Sequence, residues 1–218
     1  MSGRVKSPRG YESPRRRAGA QATRRAVADA ARTLFVERGY TGTTIDAIAA
    51  AAAVSPLTVY AAFGTKRSLL AELVDASISG EGAPPLLEQG WVREMRDEPD
   101  VRRRLASLAR NGRSILERRA AMDEVVRGAA ATDPEIAALW ERGKAQRRAG
   151  QRQLVGIVAG SAGLRAGLDL EVAADILYAV GSPDTYRLLV VDRGWSGDRF
   201  ERWYDQALAR LLLDPEGD

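Results

Sequence analysis

The stretch Thr43 to Leu70, TTIDAIAAAAAVSPLTVYAAFGTKRSLL, leaves a chain few ways to fold, because it breaks into helices too short to bury their own faces. Ile45, Ile48, Ala49 and Ala52 recur at helical spacing behind Thr44, a suitable N-cap. After Val54, Ser55 caps and Pro56 starts a second helix, since the ring's fixed φ and missing N–H suit a first turn. That helix ends at Gly64 after barely two turns. Val59 and Phe63 pack inward with Val54, while Pro56, Leu57, Thr58, Ala61 and the Tyr60 hydroxyl face outward. Thr65 caps a third helix with an apolar stripe of Leu69, Leu70, Leu73 and Val74. Two short helices clamped by longer neighbours read as a helix-turn-helix, with the second helix held out for presentation.

A long helix from Gln21 to Arg38 precedes this unit, burying Val27, Ala30, Ala31, Leu34 and Phe35 and ending at Gly39. Ahead of it, residues 1–19 hold Arg4, Lys6, Arg9, Arg15, Arg16 and Arg17 among Ser, Pro and Gly, too little apolar surface to fold alone. Charge follows the same division. The first 80 residues hold twelve Lys or Arg against six Asp or Glu, and the remainder carries a net −2. A basic amino-terminal part suits a polyanion, and the arm suits phosphates or a minor groove. There are no cysteines or histidines, which removes disulfides, thiolate nucleophiles, the usual zinc ligands and the commonest general base. No catalytic residues, metal site or cofactor are expected. No apolar run is long enough for a membrane span, and the opening residues lack the apolar core of a secretory signal, so the expected location is the cytoplasm.

The segment RAVADAARTLFVERGYTGTTIDAIAAAAAVSPLTVYAAFGTKRSLLAELV resembles the amino-terminal domain of the TetR family of transcriptional regulators. The resemblance rests on Leu34-Phe35 before Gly39-Tyr40, on Thr44, Val54-Ser55, Thr58-Val59-Tyr60, Phe63 and Lys66. It implies operator contacts by Thr44, Ser55, Thr58, Tyr60 and Lys66. Hydroxyls near helix N-termini and a lysine are chemically apt for phosphate. Capping alone also accounts for Thr44, Ser55 and Thr65, and Tyr60 could instead lie in the core. The chain departs from the family pattern at Ala53, where a turn glycine is usual, and in the apolar Pro56, Leu57, Ala61 and Ala62. Base reading by Arg, Lys or Asn is scarce in this helix. Specificity then leans on methyl contacts and on groove shape read by the arm, with Arg15, Arg16 and Arg17 nearest the head.

Gly80, Gly82, Pro84 and Pro85 mark a boundary. The expected organisation is an arm over 1–19, a helix-turn-helix domain over 20–66, a connecting helix over 67–79 and an all-α body over 86–218. In the body, Leu87, Trp91 and Met95 repeat at four, and Val101, Leu105, Leu108, Gly112 and Ile115 alternate four and three. Met122 to Ala131 reads as a separate short helix. Asp133-Pro134 opens a long one, whose Gly143, Gly150 and Gly156 point to close helix approach or, second, to room for a ligand. Asp169 caps another helix. Leu188 to Val191 alone could be a strand, but its flanks are helical. Phe200 through Leu212 is the strongest amphipathic pattern.

By the resemblance, the last two helices, roughly 183–193 and 198–213, pair with a second copy of the chain. Tyr186, Leu189, Val190, Trp203, Ala207, Leu208 and Leu211 are the candidate interface, against simple core packing. A small-molecule effector would sit between body helices. Trp91, Met95, Met122, Trp140, Tyr178 and Tyr186 are its candidate wall, each with core as the competing role. The expectation is a homodimeric repressor on double-stranded operator DNA, released by a ligand. A ligand-independent architectural dimer is the alternative, and an enzyme or small-molecule carrier a third.

Overall fold

Among the described residues, eight hydrogen-bonded caps mark where helices begin. The computed structural model describes residues 14–160 and 163–214, with side chains from Ala18 onward. Helix α1 spans Pro14–Arg38, α2 Ile45–Ala51, α3 Pro56–Phe63 and α4 Lys66–Ser79. The body follows with α5 (Gly90–Asp97), α6 (Val101–Ala130), α7 (Pro134–Ala159), α8 (Leu170–Val180), α9 (Pro183–Tyr186) and α10 (Gly197–Leu212). Thr44, Ser55 and Thr65 accept from the backbone N–H three residues on, opening α2, α3 and α4. Asp100, Asp133, Asp169, Ser182 and Ser196 do the same kind of work for α6 to α10. Pro56, Pro134 and Pro183 stand at the first turn of their helices, where a missing N–H costs nothing. No described helix is long and apolar enough to cross a membrane.

Three boundaries differ from the sequence reading. Helix α1 begins at Pro14, so residues 14–19 of the expected arm are helical: arginine and alanine are good helix formers, and a helix needs no apolar face of its own where it extends a packed one. The side chains of Arg15, Arg16 and Arg17, and residues 1–13 entirely, lie outside the described residues. Helix α6 is unbroken for 30 residues, absorbing the separate piece expected at Met122–Ala131, since Arg118 and Arg119 interrupt the apolar pattern without breaking the helix. After α9 the chain continues as a π-helical turn over Arg187–Asp192.

The described residues form two apolar cores. One gathers Val92, Met95, Leu105, Leu108, Leu177, Phe200, Tyr204 and Leu208 of the body. The other joins Val27, Leu34, Phe35, Ile48, Val59, Leu69, Leu70 and Leu73 of the head to Met122, Val125, Val126 and Ala129 of α6 and Ile136 of α7. The head core is therefore completed by the body. Arg67 of α4 reinforces the join, pairing with Glu135 and lying 3.6 Å from Asp133 at the start of α7.

Between α2 and α3, Ala53 takes φ +54°, the single non-glycine residue in the left-handed region among those described. Its Cβ strains against the neighbouring carbonyl there by about 1–2 kcal/mol. Ala53→Gly is expected to raise the thermal midpoint by about 2–4 °C in a scanning unfolding measurement, despite the usual entropic cost of glycine.

Candidate functional site

Helix α3 is fastened from behind and bare in front. Val59 and Phe63 are buried, and Val54 packs against the same core. On the opposite side Leu57 is 77% exposed and Tyr60 50% exposed, so Tyr60 is a presented side chain and not a core one. Pro56 and Ala61 are also exposed, and Thr58 is half-buried. The result is a small apolar ridge, Leu57, Tyr60 and Ala61, with a phenol on its crest. At its N-terminus the Ser55 hydroxyl accepts from the Thr58 N–H at 3.1 Å and lies 2.9 Å from the Thr58 hydroxyl. The Thr44 hydroxyl accepts from Ala47 N–H at 3.1 Å and is likewise exposed. Each capping oxygen keeps a second lone pair or its proton for another partner, so capping and phosphate contact are compatible.

Cations in the head are largely spent on the protein itself. Lys66 Nζ donates to the Tyr40 and Thr43 carbonyls, each at 2.9 Å, and sits 4.1 Å from the centre of the Tyr40 ring. Desolvation lowers its pKa. Lys66 thus staples the α1–α2 connection to α4, where the sequence reading had set it out as charge for DNA. Burial of the loop carbonyls is the reason, since they need a donor. Thr43, fully buried, works beside it: its hydroxyl lies within 3.0 Å of the Leu34 carbonyl and 2.8 Å of that of Gly39. Arg24 reaches from α1 to Glu72 of α4 and the Ala62 carbonyl of α3, stacking 4.2 Å from the Phe63 ring. Arg25 donates to Glu81 at 2.8 Å.

Beneath the head lies a cavity of about 870 Å³. Asp75, Ala76, Ile78 and Ser79 of α4 form one wall. Leu86, Leu87 and Trp91 form a second, and Leu108, Ile115 and Leu116 of α6 a third. Helix α7 contributes Gly143, Arg147, Gly150, Gln151 and Leu154, with Leu177 and Tyr204 closing the interior end. A side chain added at Gly143 or Gly150 would meet nothing within 4 Å, so these glycines leave room, the second of the two readings above. Volume and mostly apolar lining fit a small-molecule site.

A family model described as bacterial regulatory proteins, tetR family, matches residues 27–73, which span the second half of α1, all of α2 and α3, and the first part of α4. The head is a TetR-family domain. The whole chain has the fold of TetR-family transcriptional regulators. It superposes on NalD, the secondary repressor of the MexAB-OprM multidrug efflux pump in Pseudomonas aeruginosa, at TM-score 0.67 and 21% identity, covering 90% of this chain and 98% of that one. The FadR transcriptional regulator from Bacillus subtilis, in complex with stearoyl-CoA, matches at TM-score 0.67 and 18% identity over 86% and 97% of the two chains. The ketosteroid transcriptional regulator KstR2 of Mycobacterium tuberculosis matches at 0.59 and 19% over 88% and 95%. No curated protein sequence matches the chain.

Within the body the expected ligand wall divides. Trp91 lines the large cavity. Trp140 and Tyr178 line a smaller one of about 290 Å³ that shares Arg119, Arg147 and Pro183 with it. Met95, Met122 and Tyr186 are at most 5% exposed and line neither, Met122 being part of the head core. Helical spacing identifies an inward face but not whether the facing side is filled. The residues missed are the polar ones on that inward face, Arg147 and Gln151, and their spacing of four and one from Gly143 and Gly150 was the available signal.

The expected interface also divides. Tyr186 and Leu208 are buried in the body core, Tyr186 edge-on to Phe200 at 5.0 Å. Leu189, Val190, Trp203 and Ala207 are half-buried, and Leu211 is exposed. Leu188 and Val191, 51% and 66% exposed, join Leu211 as large apolar groups facing outward. The π-helical turn is the reason: i→i+5 bonding widens the turn and changes which residues share a face.

Lys66→Met removes two charge-assisted hydrogen bonds and is expected to destabilise the protein by about 2 kcal/mol in denaturant unfolding. The salt dependence of duplex binding should stay unchanged. A fall of about one in its slope would instead return Lys66 to the phosphates.

Proposed function

We propose that this chain is a cytoplasmic, homodimeric repressor with no enzymatic activity, which holds a palindromic operator through two copies of α3 and releases it when a small molecule fills the body cavity. The observation that carries this reading is the double use of α4. One of its faces, Leu69, Leu70 and Leu73, closes the head core, and its Asp75, Ala76, Ile78 and Ser79 wall the cavity. A ligand that binds better when α4 is displaced shifts the separation of the two heads, and operator affinity falls by the same factor as ligand affinity on the operator-bound protein.

A single reading helix covers a half-site, so twofold pairing supplies the second. Leu188, Val191 and Leu211, continuous with Leu189, Val190, Trp203 and Ala207, are the apolar surface for it. At the DNA, Leu57, Tyr60 and Ala61 lie against base edges and thymine methyls, with Pro56 and Thr58 beside them. Thr44 and Ser55 donate to phosphates at the helix N-termini. With Lys66 committed internally, Arg15, Arg16, Arg17 and the residues before them carry the phosphate charge. NalD is a repressor and FadR a transcriptional regulator in complex with stearoyl-CoA, and the shared fold supports ligand-linked repression here. A cavity of about 870 Å³ weighs against a dimer that only bends DNA.

Selection of bound fragments from random duplex DNA at moderate salt is expected to enrich a palindrome, and a flat outcome removes the regulator reading. On that palindrome Tyr60→Ala should weaken binding more than on unrelated duplex. Deleting residues 1–13, which spares α1, should reduce the salt slope by up to about 2.7, or 0.9 for each of Arg4, Lys6 and Arg9.

A further inference from the structure

Gln151 brings an unmet hydrogen-bonding requirement to the cavity wall. The residue is 9% exposed, and its Nε2 donates to the Leu177 carbonyl at 3.4 Å. That bond fixes the amide, because the flipped arrangement would set two carbonyl oxygens against each other. Oε1 is left buried with no partner. Buried acceptors of this kind are rare and costly, and one at a cavity wall asks for a donor from whatever fills the cavity.

Tyr204 brings a second polar atom to the same place. A Cβ on Gly181 would lie 2.2 Å from the Tyr204 hydroxyl oxygen and 3.0 Å from the Leu177 carbonyl, so hydroxyl and carbonyl flank one point. Gly112 is less tight but still close, its Cβ position lying 3.0 Å from Cε1 of the same ring. Two glycines are therefore the condition for Tyr204 to reach this end of the cavity. Burial raises the phenol's pKa and keeps it protonated, a neutral donor.

Charged groups around the cavity are committed or peripheral. Arg119 Nε donates to Asp123 at 2.7 Å in a buried pair. Arg147 stacks 3.5 Å from the Tyr178 ring and donates to that residue's carbonyl at 3.0 Å. Glu72 and Glu81 hold Arg24 and Arg25, and Asp75 and Glu88 are exposed at the mouth. The deep end thus offers a bare acceptor and a neutral hydroxyl between apolar walls.

We propose that the cavity binds an uncharged, largely apolar molecule carrying a hydroxyl group, whose O–H donates to Gln151 Oε1 while its oxygen accepts from the Tyr204 hydroxyl. This rests on the ligand-binding reading of the cavity and specifies the chemistry it selects. A carboxylate has no proton for Gln151, a ketone satisfies Tyr204 alone, and a quaternary ammonium satisfies neither.

Calorimetric titration of the full chain with 1-decanol, 2-decanone, decanoate and decyltrimethylammonium tests it. The alcohol is expected to bind about threefold to tenfold more tightly than the ketone, and more tightly than both ions. Gln151→Leu should erase the preference of alcohol over ketone while ketone binding persists, which also reports that the variant is folded. Tyr204→Phe should weaken alcohol and ketone together. A tighter charged probe, or an alcohol preference that survives Gln151→Leu, overturns the proposal and leaves the ligand-responsive reading standing. If none of the four binds the unaltered protein, both fall.

Discussion

The head of this protein cannot close its own core. Helices α2 and α3 contribute seven and eight residues, and the stripe Leu69, Leu70, Leu73 and Val74 that braces them needs covering in turn. Met122, Val125, Val126 and Ala129 of α6 and Ile136 of α7 supply the cover. Burying that surface is worth about 1.5–3 kcal/mol for each large side chain, far more than the exposed ion pairs between the two parts. Head and body therefore share packing, and α4 cannot shift at the cavity without disturbing the base on which α3 stands. The two pairs Arg24–Glu72 and Arg25–Glu81 add little energy but tie α1 to residues at the cavity edge.

Cations of the head are largely engaged within the protein itself. Lys66, Arg24, Arg25 and Arg67 are engaged by carbonyls, carboxylates or rings of the protein itself. What α3 holds outward is hydrophobic and small apart from one phenol. Thymine methyl groups and a close fit suit that face, and the basic residues ahead of α1 suit the phosphates. Helix α1 starts at Pro14, so Arg15, Arg16 and Arg17 belong to that helix and not to an arm ahead of it.

Local chemistry made much of this legible in the sequence. Thr44, Ser55, Thr65, Asp133 and Asp169 cap where their side chains and the following apolar period said they would, and Ala53, at the place where the resemblance has a turn glycine, takes a left-handed backbone. What depends on distant partners was not legible. Met122 looks like any inward methionine, and only the tertiary arrangement assigns it to the head core and not to a ligand. Lys66 turned inward because loop carbonyls 23 and 26 residues away needed donors. Tyr204 belongs to the final helix's apolar stripe by period, yet its hydroxyl reaches a cavity end opened by Gly112 and Gly181 on other segments. The π-helical turn at Arg187 changed the register of a face that an α-helical period had assigned.

Shared packing between cavity and reading head is the central claim, and filling the cavity from within tests it without any ligand. The measurement is the affinity of Gly150→Leu for the duplex recovered by selection, compared with Gly156→Leu, whose added side chain also meets open space but outside the large cavity. Both changes improve helix propensity alike. The account predicts at least a tenfold loss of duplex affinity for Gly150→Leu alone, about 1.4 kcal/mol, and equal affinity for both variants and the unaltered protein would contradict it.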